Sequence, residues 1–275
     1  MGYEYHGISY KEPQVKLLKA SGIGVAEIGA RTAYGSFDKS ESQIIRDKDF
    51  SNLDYVEDSE LVNKLIWAYH HESVAEHMIV SYHIKDVSRA VLAEYSRHRL
   101  SSLTVKSTRY TGSSVLYWYI ASYLADEESK IFTMNMINED LLVTTDTEFQ
   151  LIEWQRTYDM LNAHRQKIGD EEFFKLCLTS DQIKAMKNMT KFGSITSYYI
   201  KLNSMKNKRN VLDPFKYIVT DNWSTEIVST WNVRSLKNFM QLRKPASAWF
   251  QIRHLADAMY DVLPNAYKSK IQRDI

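Results

Sequence analysis

At 275 residues, with 44% hydrophobic, 12% aromatic and 25% charged side chains, the chain has the make-up of a folded globular protein and not of a disordered or fibrous one. Thirty-five Lys and Arg against 34 Asp and Glu leave a formal charge of +1, so there is no global pull toward nucleic acid or membrane and any anion-binding site must be local. One cysteine, Cys177, excludes an internal disulfide, and its place in the apolar run Phe173 to Leu178 predicts burial in a reduced, cytoplasmic setting.

With 9 Gly and 4 Pro there is little material for flexible linkers, and no repeat or low-complexity tract occurs, so one domain over residues 1–275 is expected. The first residues lack a basic start followed by an apolar stretch, and no run of about 18 apolar residues occurs, so neither secretion nor a membrane span is expected. Val15 to Lys19 reads as a strand that turns at Ser21-Gly22-Ile23-Gly24 into a short helix through Val25, Ile28 and Ala30. After Asp58-Ser59, a natural helix cap, Leu61, Leu65, Ala68 and Tyr69 share one helical face. Met78 to Ile84 alternates with the period of a strand. Asp86 or Ser88 then caps a helix that turns Val87, Val91, Leu92 and Tyr95 to the core and ends at Arg97-His98-Arg99, before a loop rich in Ser and Thr.

Residues 126–210 read as a helical insertion of amphipathic segments, with Phe149, Ile152, Tyr158, Met160 and Leu161 on one and Phe173 to Leu178 on another. The last third is predicted to be helical: Ile227, Val228 and Trp231 lead into Val233, Leu236, Phe239 and Met240, Pro245 interrupts, and Trp249, Ile252, Ala256, Met259 and Tyr260 carry a final helix. Strands with helices between them predict an α+β fold.

Chemistry concentrates between His71 and Arg109. His71-Glu72-Ser73-Val74-Ala75-Glu76-His77 is followed by the strand, the helix, Arg97-His98-Arg99 and a hydroxyl-rich stretch to Ser107 and Arg109. Guanidinium is a permanent, bidentate phosphate ligand, so these residues suit nucleotide phosphates, although cations in a last helical turn also complement the macrodipole. A zinc site on His71 and His77 is disfavoured, since residues six apart lie about 240° round a helix. Gly22-Ile23-Gly24-(x)4-Gly29 misses a dinucleotide fingerprint and reads as a turn. A basic nucleic-acid-binding module using Arg97, Arg99, Lys106 and Arg109, with Tyr110, Tyr117, Trp118 and Tyr119 for stacking, is the non-enzymatic alternative. Near-neutral charge, and the usual fate of runs such as Leu116 to Ile120 as core, stand against it.

Arg97, His98 and Arg99, followed after seven residues by Ser107, resemble the signature of the flavin-dependent thymidylate synthases, the ThyX family. The resemblance extends to His71-Glu72-Ser73-(x)2-Glu76-His77, to Ala30-Arg31, and to Asn232-Val233-Arg234-Ser235-Leu236-Lys237-Asn238-Phe239-(x)2-Leu242-Arg243, all in the family's order. It implies a mixed or antiparallel sheet with flanking helices and a homotetramer with shared active sites. It also implies methylation at C5 of a pyrimidine nucleotide, dUMP by default, with methylenetetrahydrofolate as carbon donor, FAD as hydride carrier and NADPH as reductant. By the same resemblance His71, Ser73, Glu76, Arg97, His98, Arg99, Asn232 and Asn238 are flavin contacts. Glu94, Arg97, Ser107, Arg109, Lys216 and Arg243 fall on the nucleotide side, with Ser107 and Arg243 closest to the chemistry; no metal is implied. A synthase that uses cysteine needs an exposed thiolate, and Cys177 lies in apolar text, which fits a flavin-borne reductant.

Several positions depart from the family. Glu94 stands for a usual glutamine, Thr104-Val105 for an Asn-Glu pair, Lys216 for an arginine, Ser247 for a histidine, and Ala33 for a hydroxyl. The flavin side is better kept than the nucleotide side, so UMP or dCMP as acceptor, or hydroxymethylation, remain alternatives. The insertion is expected to cover the site or to form a subunit contact.

Overall fold

The structure, a computed structural model, describes residues 2–125, 141–189, 193–205 and 211–272. Two compact units form: Glu12–Val105 with Glu226–Ile275, and Met1–Lys11 with Lys106–Thr225. The second opens with a hairpin that the sequence reading did not include, β1 (Gly2–Tyr5) against β2 (Ile8–Lys11). Its two-residue turn, His6-Gly7, has positive φ at both positions (51° and 82°), the backbone that a tight antiparallel hairpin with right-handed twist requires. Tyr3 and Tyr10, directly opposite, stack at 5.5 Å.

In the first unit β3 (Gln14–Ala20), β4 (Ile79–Ser88), β5 (Ser101–Val105) and β6 (Ser224–Asn232) form a sheet in the order β3-β4-β6-β5, with β3 antiparallel to β4 and β5 antiparallel to β6. Around it lie α1 (Gly24–Tyr34), the single turn α2 (Gln43–Arg46), α3 (Glu60–Trp67) and α4 (Arg89–Tyr95). Ser59 caps α3, its Oγ accepting from the Val62 amide at 3.4 Å. Of the two candidate caps for α4 the structure uses Ser88, whose Oγ accepts from Val91 N at 3.1 Å and donates to Gln251 Oε1 at 2.6 Å. Asp86 instead bends the strand with φ 58°.

Two predictions are corrected here. Ser101–Val105 is a strand, not a loop: Ser101, Leu103 and Val105 alternate with the more exposed Ser102 and Thr104 and pair with Trp231, Ser229 and Ile227. Ile227, Val228 and Trp231 belong to a strand, not to a helix entry. The inward positions of β6 are Thr225, Ile227, Ser229 and Trp231, and two polar residues among them conceal the period of two.

The helical unit continues with α5 (Thr108–Thr111), α6 (Ser113–Leu124), α7 (Thr147–Ile168), α8 (Asp170–Cys177), α9 (Ser180–Lys187) and α10 (Ile195–Ser204). The described part of the stretch 126–210 is therefore mostly helical from Thr147 on, whereas Leu142 and Thr144 form isolated β-bridges to Trp223 and Tyr10; residues 126–140, 190–192 and 206–210 of it lie outside the described residues. On α7 the packed face is Trp154, Thr157 and Leu161, while Phe149 and Ile152, predicted to share it, are 43% and 59% exposed. Tyr117, Trp118 and Tyr119 of α6 are buried with Trp154 and Phe173, which removes them as a stacking surface for a nucleic-acid strand. Cys177 is fully buried in the same cluster, as its surroundings predict.

The chain returns to the sheet unit through β6 and ends in α11 (Val233–Arg243), α12 (Phe250–Asp261) and α13 (Asn265–Ile271). The prediction stopped at Tyr260, whereas Pro264 starts one further helix that buries Tyr267 and Ile271. Val80, Tyr82 and Ile84 of β4, Ile227 and Trp231 of β6, and Val233, Leu236 and Phe239 of α11 form one core, all fully buried.

Candidate functional site

Two clusters of the sheet unit meet on α11. At its C-terminal end Arg243 donates from Nε to His98 Nε2 at 2.9 Å, and its Nη1 lies 3.0 Å from Glu94 Oε2. The second contact is Coulombic, because no N–H is aimed at that buried oxygen, which has no hydrogen-bond partner. His98 is held at the turn that follows α4, its amide bonded to Tyr95 O at 3.2 Å and its ring edge-on to Phe239 at 5.0 Å. Since Nε2 accepts from a guanidinium that never gives up its proton, the ring is neutral and carries its proton on Nδ1. Burial first, then the Arg243 charge, pulls the His98 pKa below the ordinary 6.5. In an NMR titration of ring protons its midpoint is expected below 6.5; a midpoint above would mean that the Glu94 charge outweighs Arg243.

Toward the other end of α11 lies a cavity of about 440 Å³, lined among others by Glu72, Glu76, Arg99, Arg234, Lys237 and Asn238. Arg234, Lys237, Asn238 and Gln241 share one face of the helix by their spacing. Glu72 and Glu76 come from the 3-10 turn Glu72–His77. Arg234 Nη1 sits 2.5 Å from Glu76 Oε1 and its Nε 3.8 Å from Glu72 Oε2, while Lys237 Nζ is 2.5 Å from Glu72 Oε1. The cavity thus has three cations against two carboxylates, all of the latter paired.

Of the residues predicted on the flavin side, Glu76, Arg99 and Asn238 line this cavity. Asn232 caps α11, its Oδ1 accepting from Ser235 N at 2.8 Å. His71 and Ser73 are exposed on the turn beside it, Arg97 is exposed after α4, and His98 belongs to the Arg243 contact. Sequence reasoning missed Glu72, Arg234, Lys237 and Gln241 as cavity residues; the helical spacing from Arg234 to Gln241 carried the signal.

Ser107, Arg109 and Lys216 lie in the helical unit. Ser107 stands at the N-cap of α5 in extended backbone, and its hydroxyl does not cap that turn. Arg109 Nη2 is 2.7 Å from Asp213 Oδ2, and Lys216 Nζ is 3.4 Å from Asp213 Oδ1. Arg109 and Lys216, both expected on the nucleotide side, therefore converge on one exposed carboxylate, which Arg109 foremost holds below its ordinary pKa. Among the described residues no three His, Cys, Asp or Glu side chains gather for a metal ion, and no helix is long and apolar enough to cross a membrane.

A profile of the family described as thymidylate synthase complementing protein matches residues 17–267. A flavin-dependent thymidylate synthase of Campylobacter jejuni (strain RM1221) is 28% identical over 257 residues, 93% of this chain and 94% of that protein. One of Wolinella succinogenes is 26% identical over 254 residues, 92% and 95% of the two chains. In fold, the chain is similar to crystal structures of Helicobacter pylori ThyX with FAD and dUMP. One aligns with a TM-score of 0.56 at 21% identity over 94% of this chain and 97% of that one. A second aligns with a TM-score of 0.59 at 23% identity over 94% and 98%. Since that profile spans both clusters on α11 and all of the sheet but the first three residues of β3, the chain belongs to the thymidylate synthase complementing protein family, that of the flavin-dependent thymidylate synthases.

Proposed function

We propose that the chain methylates C5 of a pyrimidine nucleotide, dUMP by default, with methylenetetrahydrofolate as carbon donor and FAD as the bound redox group. The observation that carries this reading is that one helix, α11, presents a cation-lined cavity along its face and the Arg243–His98 contact at its end. The cavity's donor set fits a dinucleotide: Arg99, Arg234 and Lys237 suit phosphate charge, and the Asn238 amide stands beside them. Reduced FAD supplies a hydride when bound. A route through a thiolate added to the ring finds no accessible sulfur, because the one cysteine is fully buried.

The chain's own residues divide the remaining work. Arg243, with Nε on His98 and Nη1 facing Glu94, has Nη2 left for the carbonyl edge of the pyrimidine, and its fixed charge stabilises negative charge that develops there when C5 reacts. His98, neutral and locked in one tautomer, orients that guanidinium. Arg109 as a fork and Lys216 as a point charge grip the nucleotide phosphate in exchange for Asp213. NADPH as reductant, a homotetramer and a cytoplasmic location complete the reading, on the family resemblance.

The test is the visible spectrum of the protein loaded with FAD and freed of excess, then titrated with dUMP, UMP and dCMP. Flavin bands retained and perturbed by dUMP are expected. Perturbation by UMP or dCMP alone reassigns the acceptor, and a colourless protein ends the flavin reading. In the same preparation Ser107→Ala is expected to keep its flavin and lose about 100-fold in turnover, the scale of one positioning or proton-transfer group. Turnover equal to the parent would remove Ser107 from the site.

A further inference from the structure

Lys237 is out of place for a residue that merely faces solvent. It is 6% exposed, its Nζ lies 4.0 Å over the Trp67 ring, and that ring is itself pinned by Nε1–H donating to Ser269 O at 2.8 Å. Burying an ammonium is costly, and an apolar side chain of similar volume at such a place is often neutral or stabilising. The amine nevertheless forms part of the cavity wall, in the company of Arg99 and Arg234. Glu72 is what balances it. One carboxylate oxygen meets Lys237 at 2.5 Å and the other faces Arg234 at 3.8 Å, so the carboxylate spans two cations as a phosphate group would.

We propose that Lys237 is a phosphate-binding residue of this cavity and that Glu72 is its internal competitor, a carboxylate that holds the Lys237–Arg234 pair until a phosphate of the bound nucleotide cofactor takes its place. The proposal rests on the flavin reading for the identity of that cofactor, but its anion chemistry is separable from it. Exchange of one anion for another keeps the buried ammonium paired throughout. The exchange also weakens cofactor affinity by the free energy needed to displace Glu72, and removing the Glu72 charge uncovers that affinity.

The experiment uses the full chain and two probes. Inorganic diphosphate is titrated calorimetrically into the parent, Glu72→Gln, Lys237→Met and the double variant, and FAD retention is read by absorbance on the same four proteins. Glu72→Gln is expected to bind diphosphate about 10-fold more tightly and Lys237→Met about 10-fold more weakly, each the worth of one charged contact. In the double variant the gain from Glu72→Gln disappears, and the salt dependence of binding is shallower wherever Lys237 is gone. If Glu72→Gln binds no tighter while folded, or if Lys237→Met binds diphosphate as the parent does, the proposal is wrong. Should Glu72→Gln fail to fold, Lys237→Met against the parent decides alone, since an apolar side chain there relieves a buried charge. If the diphosphate order holds and no variant retains FAD, Lys237 and Glu72 keep their roles and the flavin reading falls.

Discussion

Replacing Arg243 by alanine is expected to lower kcat/KM for dUMP by about 10²–10³-fold, the range for removing one preorganised charged donor, while FAD stays bound. The expectation follows from how the residue is held. Its Nε is committed to His98 and its Nη1 faces the Glu94 charge, so the guanidinium is held before any substrate arrives and needs little reorganisation to stabilise charge. Loss of the side chain also changes its neighbours. Glu94 keeps a buried oxygen that already lacks a hydrogen-bond partner, and His98 loses the donor and the positive charge that help to keep it neutral. The His98 titration midpoint is therefore expected to rise in Arg243→Ala, toward the side favoured by the remaining carboxylate. Arg243→Lys restores charge without the fork and is expected to recover activity only in part. A variant that loses flavin instead of nucleotide would reverse the assignment of this end of α11. Glu94→Gln keeps the shape and removes the charge, and a shift in the ratio of activity on dUMP to that on dCMP would mark the residue as a selector of the acceptor.

The second large effect is on stability. Trp231→Ala is expected to destabilise the protein by about 3–5 kcal/mol, the usual cost of emptying a buried aromatic site. Trp231 is fully buried, its ring 5.2 Å from Tyr95 and 5.3 Å from Phe239, and its Nε1–H donates to the Tyr95 hydroxyl at 2.7 Å. That hydroxyl also meets Ser229 Oγ at 2.8 Å, so the deletion takes one donor from a buried polar pair as well as opening a cavity. Because Phe239 is the surface on which His98 rests, the loss should also broaden or shift the His98 ring signals. Trp154→Ala, in the other unit, is the control: an equally buried ring lost from the helical core should lower the melting temperature and leave the His98 signals in place. Equal perturbation of His98 by both would mean that Trp231 has no local part in holding it.

What was legible in the sequence depended on how near in the chain the partners stand. β4 announced itself through Met78 to Ile84, and the caps of α3 and α4 through Ser59 and Ser88, because strand alternation and capping are settled within a few residues. β6 did not, since its inward Ser229 exists to meet Tyr95, a residue 134 positions away, and a polar side chain with a distant partner looks like the wrong face of a helix. The same reason divides the site. The family resemblance marked Arg97 to Arg99, Glu76, Asn238 and Arg243, whereas the pairing of Lys237 with Glu72 joins residues 165 apart and that of Arg243 with His98 residues 145 apart. Glu94, a carboxylate where the family usually has glutamine, is met in the fold by Arg243, so its charge is already answered.

Cys177 has a consequence for the chemistry of its surroundings. Alkylating reagents and peroxides attack exposed thiolates, and the chain's one sulfhydryl is sealed between α-helices with no solvent contact. Iodoacetamide or hydrogen peroxide at doses that silence an enzyme with a sulfur nucleophile finds no accessible thiol here short of unfolding the helical unit. Synthesis of the DNA precursor would continue through an assault aimed at thiols, and its vulnerability to such reagents would move from the protein to the supply of electrons.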